Sequence, residues 1–401
     1  MSTASALDAQ TVRTRPIADP GDLDAVLPTG PTVSWIRNGD GLVGWGERAR
    51  FEWTGASAEP AVTWWREFCA ELRVTDELGL TGTGPLAFAS LAFDHRTCNS
   101  VLIVPQVLLG RHEGRAWITT YDDTAGLPQV DRVRGPGAVR FEAAALTPEQ
   151  WAAAVADAVS RIRAGEVQKV VLSRDVLAHT EVPVDPRYLI GRLMRRYPSC
   201  WTYCVDGLVG ATPELLIRRR GRVVDSRVLA GTMPPGLPDD GGLMQSAKNR
   251  SEHAFSVRSV AEILAGYCDE LDVPEAPSLL RLPNLVHLAT DIRGTVSNGT
   301  QALSLAAALH PTAAVCGTPT EVAFDLIPLL EQMDRRRYYG PIGWVDATGN
   351  GEFGIALRGA EVDGTTVRLI AGGGIVADSE PERELAEADT KFRVMREALD
   401  G

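Results

Sequence analysis

The feature that most constrains the fold is the succession of short apolar runs, separated by Gly and Asp turns rather than by evenly spaced helices. Examples in the first part of the chain are VSWI at 33–36, LAFASLAF at 86–93 and VLIVP at 101–105. Runs of this length and composition indicate strands. Strands that follow one another in hairpin-like order favour an α+β fold with large antiparallel sheets over a doubly wound parallel fold.

The other element predictions rest on the same patterns and on turn residues. Thr147 and Pro148 predict the start of a helix, because Thr is a favoured N-cap and Pro a favoured first residue, and Gly165 predicts its end. Further helices are predicted at 64–72, 186–195, 242–271, 302–309, 320–331 and 381–399. Strands are predicted at 167–177, 201–210, 285–296, 340–346, 352–362 and 366–371, with a hairpin over 215–227 that turns at Gly221.

Composition suggests how the chain is organised into domains. Residues 1–30 are polar and rich in Pro, Ala and Asp, which predicts a flexible N-terminal arm. The chain has 401 residues, 44% of them hydrophobic, which is enough for a large buried core. We expect residues 31–401 to form a single α+β domain, with an N-terminal lobe at 31–146 and a catalytic part at 147–401.

Charge and hydropathy exclude several classes of partner. The net charge of −12 argues against nucleic acid and against an anionic membrane surface. One of the longest apolar stretches, 101–109, is far too short to span a bilayer, and the first residues lack a basic segment followed by an apolar one. We therefore expect a cytoplasmic monomer with a small-molecule substrate, in which the six cysteines are free thiols.

The lysines are unusually few. Only three of the 40 basic residues are lysines, namely Lys169, Lys248 and Lys391. A mutational bias towards arginine codons explains the scarcity but not the three that remain. Lysine can lose its proton when it is buried, whereas arginine cannot, so the three positions are candidates for chemistry.

Lys169 and Glu214 are the candidates for proton transfer. Lys169 shares one face of a predicted strand with Val167 and Val171, and apolar surroundings lower the pKa of a lysine, so it could serve as a base. The alternative is a lysine at a strand edge whose amine reaches water. Glu214 follows Pro213 between two predicted strands, where a solvated loop carboxylate is the ordinary alternative.

The segment 371–391 combines glycines with charged residues. Gly372, Gly373 and Gly374 end a predicted strand, where their backbone can approach a ligand closely and offer N–H groups to an anion. Glu384, Glu387 and Lys391 are three and four residues apart and share a helix face. Two carboxylates beside an anion cradle suit Mg²⁺, although a surface helix with salt bridges is the alternative.

A second helix and one strand add further candidates. Lys248, Asn249 and Glu252 share a face of the predicted helix 242–271, so a carboxylate there would complete a metal site between two helices; a solvated face is the alternative. Arg358 lies in an apolar segment, and a buried guanidinium requires a partner such as a carboxylate. Tyr338 could bind the same group, whereas the run 335–337 that precedes it is predicted to be solvated. His287 is predicted to be an ordinary core residue.

Seven segments that occur in one order together resemble the chorismate-utilising enzyme family. They are KVVLSR at 169–174, ATPELL at 211–216, LAGT at 229–232, AKNRSEH at 247–253, LVHLAT at 285–290, ALRGA at 356–360, and AGGGI with PEREL at 371–385. The resemblance covers more than half of the chain and implies the fold of anthranilate synthase component I. That fold is a single α+β domain with large antiparallel sheets packed face to face and helices outside.

The resemblance also implies roles for individual residues. Glu252 and Glu387 are expected to bind Mg²⁺ directly, and Glu384 and Asn249 through water, although relatives usually have an acid at the position of Asn249. The backbone of residues 372–374 is expected to hold the ring carboxylate of chorismate, with Lys391 nearby. Other residues of the expected substrate site are Ala230, Gly231, Thr232, His287, Thr290, Tyr338 and Arg358, of which the last two would hold the enolpyruvyl carboxylate.

Two positions distinguish members of the family by their nucleophile. Relatives that use ammonia tend to have Gln where this chain has Lys169, and aminodeoxychorismate synthases have a nucleophilic lysine where it has Ala230. The resemblance therefore implies that water is the nucleophile and that the product is isochorismate, with Glu214 as the acid. Residues 288–290 resemble isochorismate synthases more than salicylate synthases. A salicylate synthase and a non-catalytic chorismate-binding homologue remain the alternatives, and siderophore and menaquinone biosynthesis are both possible uses of the product.

Overall fold

The computed structural model describes residues 11–121, 128, 130–233, 236, 242–282, 286–297 and 299–400, apart from the side chain of Lys248. In chain order the strands are β1 (Thr11–Ile17), β2 (Thr32–Arg37), β3 (Asp40–Trp45), β4 (Ala49–Trp53), β5 (Arg73–Asp76), β6 (Leu86–Ser90), β7 (Ser100–Val104), β8 (Val107–His112), β9 (Arg115–Tyr121), β10 (Val139–Ala143), β11 (Lys169–Thr180), β12 (Trp201–Val205), β13 (Leu208–Thr212), β14 (Leu215–Arg220), β15 (Val223–Met233), β16 (Cys268–Asp272), β17 (Ser278–Arg281), β18 (Val286–Val296), β19 (Gly317–Thr318), β20 (Pro341–Asp346), β21 (Gly351–Ile355), β22 (Gly359–Asp363) and β23 (Thr366–Ile375). The helices are α1 (Glu59–Ala70), α2 (Pro148–Arg163), α3 (Pro186–Arg196), α4 (Ala247–Ala265), α5 (Ala302–Ala308), α6 (Thr320–Glu331) and α7 (Pro381–Asp400).

Within the described ranges the strands form two large sheets. The first has 13 strands in the order β10-β11-β23-β22-β13-β12-β2-β3-β8-β9-β1-β5, with β19 beside β11. The second has 10 strands in the order β16-β18-β15-β14-β21-β20-β6-β7-β4, with β17 beside β18. The pairing is antiparallel throughout these ranges except between β1 and β5. The predicted α+β fold with large antiparallel sheets is therefore confirmed.

The main core lies between the two sheets. Trp35 and Tyr203 of the first sheet join one hydrophobic cluster with Phe88 and Phe353 of the second. Because successive strand residues point to opposite faces, Cys204 lies in a different cluster, on the outer face of the first sheet. Helices α3 and α7 cover that outer face through side chains that include Leu189, Leu193, Phe392 and Met395. In the part of the chain that is described, no helix is long and apolar enough to cross a membrane.

Helix α2 begins and ends as its sequence predicts. The Thr147 hydroxyl accepts a hydrogen bond from the Gln150 N–H at 3.3 Å, and the Gln150 side chain accepts one from the Thr147 N–H at 2.9 Å. This reciprocal capping satisfies N–H groups that the first helical turn leaves without partners. Gly165, with a φ of 83°, follows the C-terminal end.

The predicted flexible arm at 1–30 is wrong for the residues from Thr11 onwards; residues 1–10 lie outside the described part of the chain. Strand β1 lies between β9 and β5 in the first sheet. Val12 and Thr14 are fully buried, and the Thr14 and Thr119 hydroxyls are hydrogen-bonded at 2.7 Å. The polar composition misled the prediction because in this strand only alternate residues face the core.

Three predicted elements are divided in the structure. Residues 201–210 form a hairpin, because Asp206 and Gly207 both have positive φ and make a two-residue turn between β12 and β13. The helix predicted at 242–271 begins at Ala247 and ends at Ala265, and strand β16 follows it. The strand predicted at 352–362 is two strands, β21 and β22, which belong to different sheets.

Two of the places where the chain passes from one sheet to the other are neighbours in space. It leaves the first sheet after β13, passes through Pro213 and Glu214, and enters the second sheet with β14. It returns from β21 to β22 through 356–358. The two crossings are hydrogen-bonded to each other, since the Ala211 N–H donates to the Arg358 carbonyl at 3.2 Å. Glu214 and Arg358 are therefore placed side by side at the edge of the core.

Candidate active site

A cavity next to these crossings brings together most of the residues that the sequence singled out. Strands β15, β18 and β23, helices α4 and α7 and both crossings contribute to its wall. The predicted residues that line it are Glu214, Ala230, Gly231, Thr232, Glu252, His287, Tyr338, Arg358, Gly372, Gly373, Gly374, Glu387 and Lys391.

Four predicted residues do not line this cavity. Lys169 is buried immediately behind Gly374, and Glu384 is buried behind Gly373. The Thr290 hydroxyl is hydrogen-bonded to Nε2 of His253 at 2.7 Å, on the side of β18 that faces α4. Asn249 lies in the first turn of α4, where its backbone N–H donates to the hydroxyl of the N-cap residue Ser246 at 3.3 Å.

Lys169 is completely enclosed by protein. Its Nζ lies 3.4 Å from the Ser256 hydroxyl and 3.6 Å from Oε1 of Glu252. Burial lowers the pKa of the Lys169 amine, because a charged amine loses its hydration there, and the negative field of Glu252 opposes this effect only in part. The alternative of an amine that reaches water at a strand edge is therefore wrong.

Glu214 is also buried, at the crossing between β13 and β14, with 5% of its surface exposed. Burial raises the pKa of its carboxyl to about 8, and the Leu229 N–H, 3.5 Å from Oε1, lowers it only slightly in return. Glu214 is therefore mostly protonated at neutral pH, and the alternative of a solvated loop carboxylate is wrong. Burial thus shifts the pKa of the Lys169 amine down and that of the Glu214 carboxyl up, in both cases towards the uncharged form.

The three glycines lie inside strand β23, where Gly372 pairs with Ser173 and Gly374 with Val171 of β11. The N–H groups of Ser173 and Val171 donate away from β23, to Glu331 and to the Cys316 carbonyl. In antiparallel pairing the N–H groups of Gly372 and Gly374 then also point away from β11. These N–H groups face the edge of β23 along which the pairing with β22 ends at Leu369. On the same edge the Gly372 carbonyl accepts a hydrogen bond from Nζ of Lys391 at 2.6 Å.

Side chains on both faces of β23 require that these residues be small. A Cβ on Gly374 would lie 2.4 Å from Oε1 of Glu252 and 2.8 Å from Cε of Lys169. A Cβ on Gly373 would lie 3.4 Å from both Oε1 of Glu387 and Nζ of Lys391. The carboxylates of α4 and α7 therefore approach the strand from opposite faces. Gly372 has no room for a side chain either, because a Cβ there would overlap the Leu172 carbonyl oxygen.

The acidic residues expected to bind metal come from two helices. The side chain of Glu252 in α4 is 15% exposed, and that of Glu387 in α7 is 30% exposed and lies 2.7 Å from Nζ of Lys391. Among the described residues there is no group of three or more His, Cys, Asp or Glu side chains that could hold a metal ion. Two carboxylates facing one cavity nevertheless fit Mg²⁺, which commonly takes one or two protein carboxylates and completes its shell with water and substrate oxygens.

Arg358 forms the cationic side of the cavity. Its NH1 is buried without a hydrogen-bond partner in the described structure, and its NH2 lies 3.4 Å from Nε2 of His287. Burial and the positive charge of Arg358 hold the pKa of His287 well below its ordinary value, so the imidazole is neutral. The hydroxyl of Tyr338 accepts a hydrogen bond from the Arg358 N–H at 3.1 Å. A guanidinium with a free N–H in a buried wall suits a carboxylate ligand.

A β-bulge shapes the wall opposite. The register of β15 against β18 shifts between Ala230 and Thr232, and Gly231 has a φ of 77°. The bulge lets Thr232 bond Nδ1 of His287 at 3.1 Å through its hydroxyl. A side chain at Gly231 would contact Asn249 of α4, so the glycine also permits α4 to lie close to the sheet.

The sequence did not indicate every residue of the site. Ser256, which contacts Lys169, is four residues from Glu252 on α4, and that helical spacing could have revealed it. Ala314 and Val315 line the cavity without any sequence signal, because apolar residues in loops carry no chemistry. Arg335 belongs to the run 335–337 that was predicted to be solvated; it is instead fully buried against Glu331, so that prediction is wrong for this residue.

A fold of two large antiparallel sheets, with a buried acid, a buried lysine and a cationic wall around one cavity, defines the class of protein. The model of the family of chorismate binding enzymes matches residues 128–400. The chain belongs to this family, and the resemblance noted in the sequence is confirmed.

Individual relatives are similar to the chain over most of its length. Isochorismate synthase DhbC of Bacillus subtilis is 39% identical over 270 residues, which cover 63% of this chain and 68% of that protein. The solved structure of MenF, the menaquinone-specific isochorismate synthase of Escherichia coli, has a TM-score of 0.81 at 26% identity and covers 97% of this chain and 94% of that one.

A more distant structure supports the fold alone. Anthranilate synthase component I of Streptococcus pneumoniae has a TM-score of 0.73 at 19% identity, and the match covers 88% of this chain and 91% of that one. The predicted fold of anthranilate synthase component I is therefore confirmed.

Proposed function

We propose that the protein is an isochorismate synthase, which converts chorismate to isochorismate by adding water at C2 of the ring and releasing the hydroxyl from C4. The observation that carries the proposal is the pair of Lys169 and Glu214, both buried next to one cavity, with the pKa of each shifted by burial towards its uncharged form. Such a pair is what the reaction needs, a base at one carbon and an acid at another.

Lys169 acts as the base. In the proposed reaction a water molecule reaches Nζ, which lies behind Gly374, and gives it a proton as the water oxygen bonds to C2. The lowered pKa of the Lys169 amine favours the uncharged form, which is the form that accepts this proton. Glu252, 3.6 Å from Nζ, stabilises the ammonium that forms.

Glu214 acts as the acid. Its carboxyl, with a pKa raised to about 8, still carries its proton at neutral pH and gives it to the C4 hydroxyl as that group leaves. The ring double bonds shift between C2 and C4, so that water gained at one carbon is balanced by water lost at the other. The carboxylate left on Glu214 is then reprotonated as the amine of Lys169 returns to its neutral form.

Two groups of residues hold the two carboxylates of chorismate. The outward N–H groups of Gly372 and Gly374, with Lys391 beside them, hold the ring carboxylate. Arg358 and Tyr338 hold the enolpyruvyl carboxylate, and the buried NH1 of Arg358 supports this assignment. The rest of the substrate site is formed by Ala230, Gly231, Thr232 and His287, with Thr290 behind it.

The metal in this proposal is Mg²⁺. Glu252 and Glu387 would hold it directly, and Glu384 and Asn249 would act through water. When bound, Mg²⁺ neutralises the negative charge that develops on the ring carboxylate. The half-buried carboxylates of Glu252 and Glu387 in one cavity wall support this assignment.

The experiment that tests the function is a product analysis. Chorismate and Mg²⁺ are incubated with the protein, and the products are separated by chromatography while pyruvate is followed with lactate dehydrogenase. We expect isochorismate in reversible equilibrium with chorismate and no enzyme-dependent pyruvate. Stoichiometric pyruvate with salicylate would instead identify a salicylate synthase, and unchanged chorismate that is nevertheless bound would identify a non-catalytic homologue.

The segment at 288–290 is the reason for preferring isochorismate as the final product. Elimination of pyruvate needs the bound intermediate to be held so that the C2 proton reaches the enolpyruvyl methylene. The segments 288–290 and 317–320 resemble the corresponding segments of enzymes that stop before this step. We propose that the protein is a cytoplasmic monomer and that its product serves siderophore or menaquinone biosynthesis.

A further inference from the structure

The most deeply buried ion pair of the described structure lies outside the cavity. Glu331, the last residue of α6, and Arg335 are 1% and 2% exposed. Nε of Arg335 lies 2.9 Å from Oε2 of Glu331, and NH2 of Arg335 contacts Oε1. The loss of hydration offsets much of the attraction between two buried charges. The structural role of such a pair therefore depends on the other hydrogen bonds that it makes.

Those hydrogen bonds go to the peptide groups of β11. Oε1 of Glu331 accepts from the Ser173 N–H at 2.7 Å, and NH2 of Arg335 donates to the Val171 carbonyl at 2.8 Å. On this edge of β11, strand β19 pairs only with Lys169 and Val170. Beyond Val170 the ion pair therefore takes the place of a neighbouring strand.

The opposite edge of β11 holds the glycines. Val171 and Ser173, whose peptide groups the ion pair binds, are the register partners of Gly374 and Gly372. Lys169 precedes Val171 by two residues on the same strand. The ion pair therefore fixes the position of Lys169 relative to the glycines of β23.

The ion pair also contacts the cavity wall. NH1 of Arg335 donates to the carbonyl of Val315 at 2.8 Å, and its guanidinium lies 4.7 Å from the ring centre of Tyr339. The hydroxyl of Tyr339 accepts a hydrogen bond from the Ser173 hydroxyl at 2.9 Å. Val315 and Tyr339 both line the cavity.

From this geometry we infer that Glu331 and Arg335 are positioning residues for the reaction: they hold β11 so that Lys169 meets the water. The inference rests on the proposed function. Neither residue touches the substrate, because both lie on the far edge of β11. Their effect should appear in the chemical step rather than in binding, since Arg358 and Lys391 are held by other elements.

The test compares Arg335→Lys with Glu331→Gln. Lysine keeps the buried positive charge but lacks the planar fork that reaches the Val171 and Val315 carbonyls together with Glu331. Glutamine keeps the volume and the acceptor for Ser173 but removes the charge. We expect kcat to fall by roughly 10-fold to 100-fold in Arg335→Lys, with KM near that of the parent protein, because a small displacement of a catalytic group has effects of this size. Glu331→Gln, which retains one peptide contact, should lose less.

Asp346→Asn is the matched control for lost stability. Asp346 is a buried carboxylate that accepts hydrogen bonds from Thr348 and Asn350 in the turn after β20, away from β11. Rates are measured well below each melting temperature and divided by the folded fraction from circular dichroism. The control should then keep the parent kcat although its melting temperature falls.

The outcomes separate this inference from the proposed function. The inference would be overturned if Arg335→Lys kept the parent kcat after division by the folded fraction. It would be overturned as well if this variant lost only its affinity for the substrate. It would also be overturned if Asp346→Asn lost as much kcat as Arg335→Lys. If the parent protein forms no isochorismate, the proposed function fails instead.

Discussion

At the scale of single residues, the candidate site contains two ionisable side chains that are buried. Lys169 and Glu214 are both enclosed, and burial moves the pKa of each towards the uncharged form. The negative charge of Glu252 opposes this shift for the amine, and the Leu229 N–H opposes it for the carboxyl. The same low-polarity surroundings therefore shift both pKa values in the directions that the proposed base and the proposed acid require.

The first prediction concerns these two residues. Lys169→Ala and Glu214→Gln should each lower kcat by about 10² to 10⁴, the range typical of general acid–base groups, while chorismate still binds. The measurement is steady-state kinetics with a separate binding titration. Glu166→Gln, at an exposed residue near Lys169 in sequence, is the control and should keep full activity. Near-normal kcat in either variant would rule out the role given to that residue.

The second prediction concerns pH. Glu214 must carry its proton to act as an acid, and its pKa is raised to about 8. The titration of Glu214 should therefore leave kcat constant below that pH. As the pH rises through about 8, Glu214 loses its proton and kcat should fall. The pH profile of kcat checks this, and the alkaline decline should be absent from the residual activity of Glu214→Gln. A decline that persists in this variant would belong to another group.

At the scale of secondary structure, the site is built where regular elements end or change sheets. Glu214 and Arg358 lie at the two crossings between sheets, where a side chain can be buried without belonging to either sheet. The glycines lie where β22 stops short of the end of β23, so that backbone N–H groups face a cavity rather than a strand. Helices α4 and α7 then bring carboxylates to both faces of β23.

The third prediction concerns the packing of β23. In Gly374→Ala the new methyl group would lie 2.4 Å from Oε1 of Glu252, so Glu252 and Lys169 must move. Overpacking of this kind costs about 1–3 kcal/mol, and we expect kcat to fall by roughly 100-fold. Gly373→Ala is the matched control, because its methyl group would meet its neighbours at 3.4 Å, an ordinary contact, and activity should stay within a fewfold of the parent. Equal effects of the two substitutions, measured as kcat, would contradict this account of the strand.

The fourth prediction concerns the Mg²⁺ that we propose between α4 and α7. If Glu252 and Glu387 hold Mg²⁺, excess chelator should abolish isochorismate formation, and added Mg²⁺ should restore it. Glu387→Gln should raise the Mg²⁺ concentration needed for half-maximal activity, whereas Glu380→Gln, at an exposed position before α7, should not. Full turnover in excess chelator would show that the two carboxylates serve another purpose.

At the scale of the whole molecule, both sheets combine strands from distant parts of the sequence. In the first sheet β2, from the first forty residues, pairs with β12, and in the second β6 pairs with β20. Strand β1 extends the first sheet at the end remote from the cavity. The core that supports the site is therefore shared by the whole described chain.

The fifth prediction follows from the place of β1. Deleting residues 1–17 removes the strand that pairs with both β5 and β9 and exposes part of the core around Thr119. The melting temperature should fall by on the order of 5 °C or more. Arg13→Ala is the control, because Arg13 makes an exposed ion pair with Glu77 that contributes little to stability. Unchanged melting of the truncated protein would contradict the structural role of β1.

The sequence predicted many of the elements and most of the residues that meet at the cavity, for reasons that can be stated residue by residue. Thr147 and Gly165 marked the ends of α2 because capping is a local property. Lys169 was recognisable because a lysine among β-branched residues is unusual in itself. Boundaries that depend on which sheet a strand joins, such as the break at 356–358, were missed, since local sequence is apolar on both sides of the break.

What the sequence alone determined was the strand-rich α+β fold, the family and the chemical nature of the candidate residues, all of which are carried by side-chain type and spacing. Only the tertiary structure decided which of them meet. The burial of Arg335 with Glu331 beneath β11, and the position of Thr290 behind the cavity, depend on contacts between residues far apart in the chain. Burial and hydrogen-bond partners, and with them the charge states of Lys169 and Glu214, are properties of the packed molecule, because the polarity around a group is set by every element that encloses it.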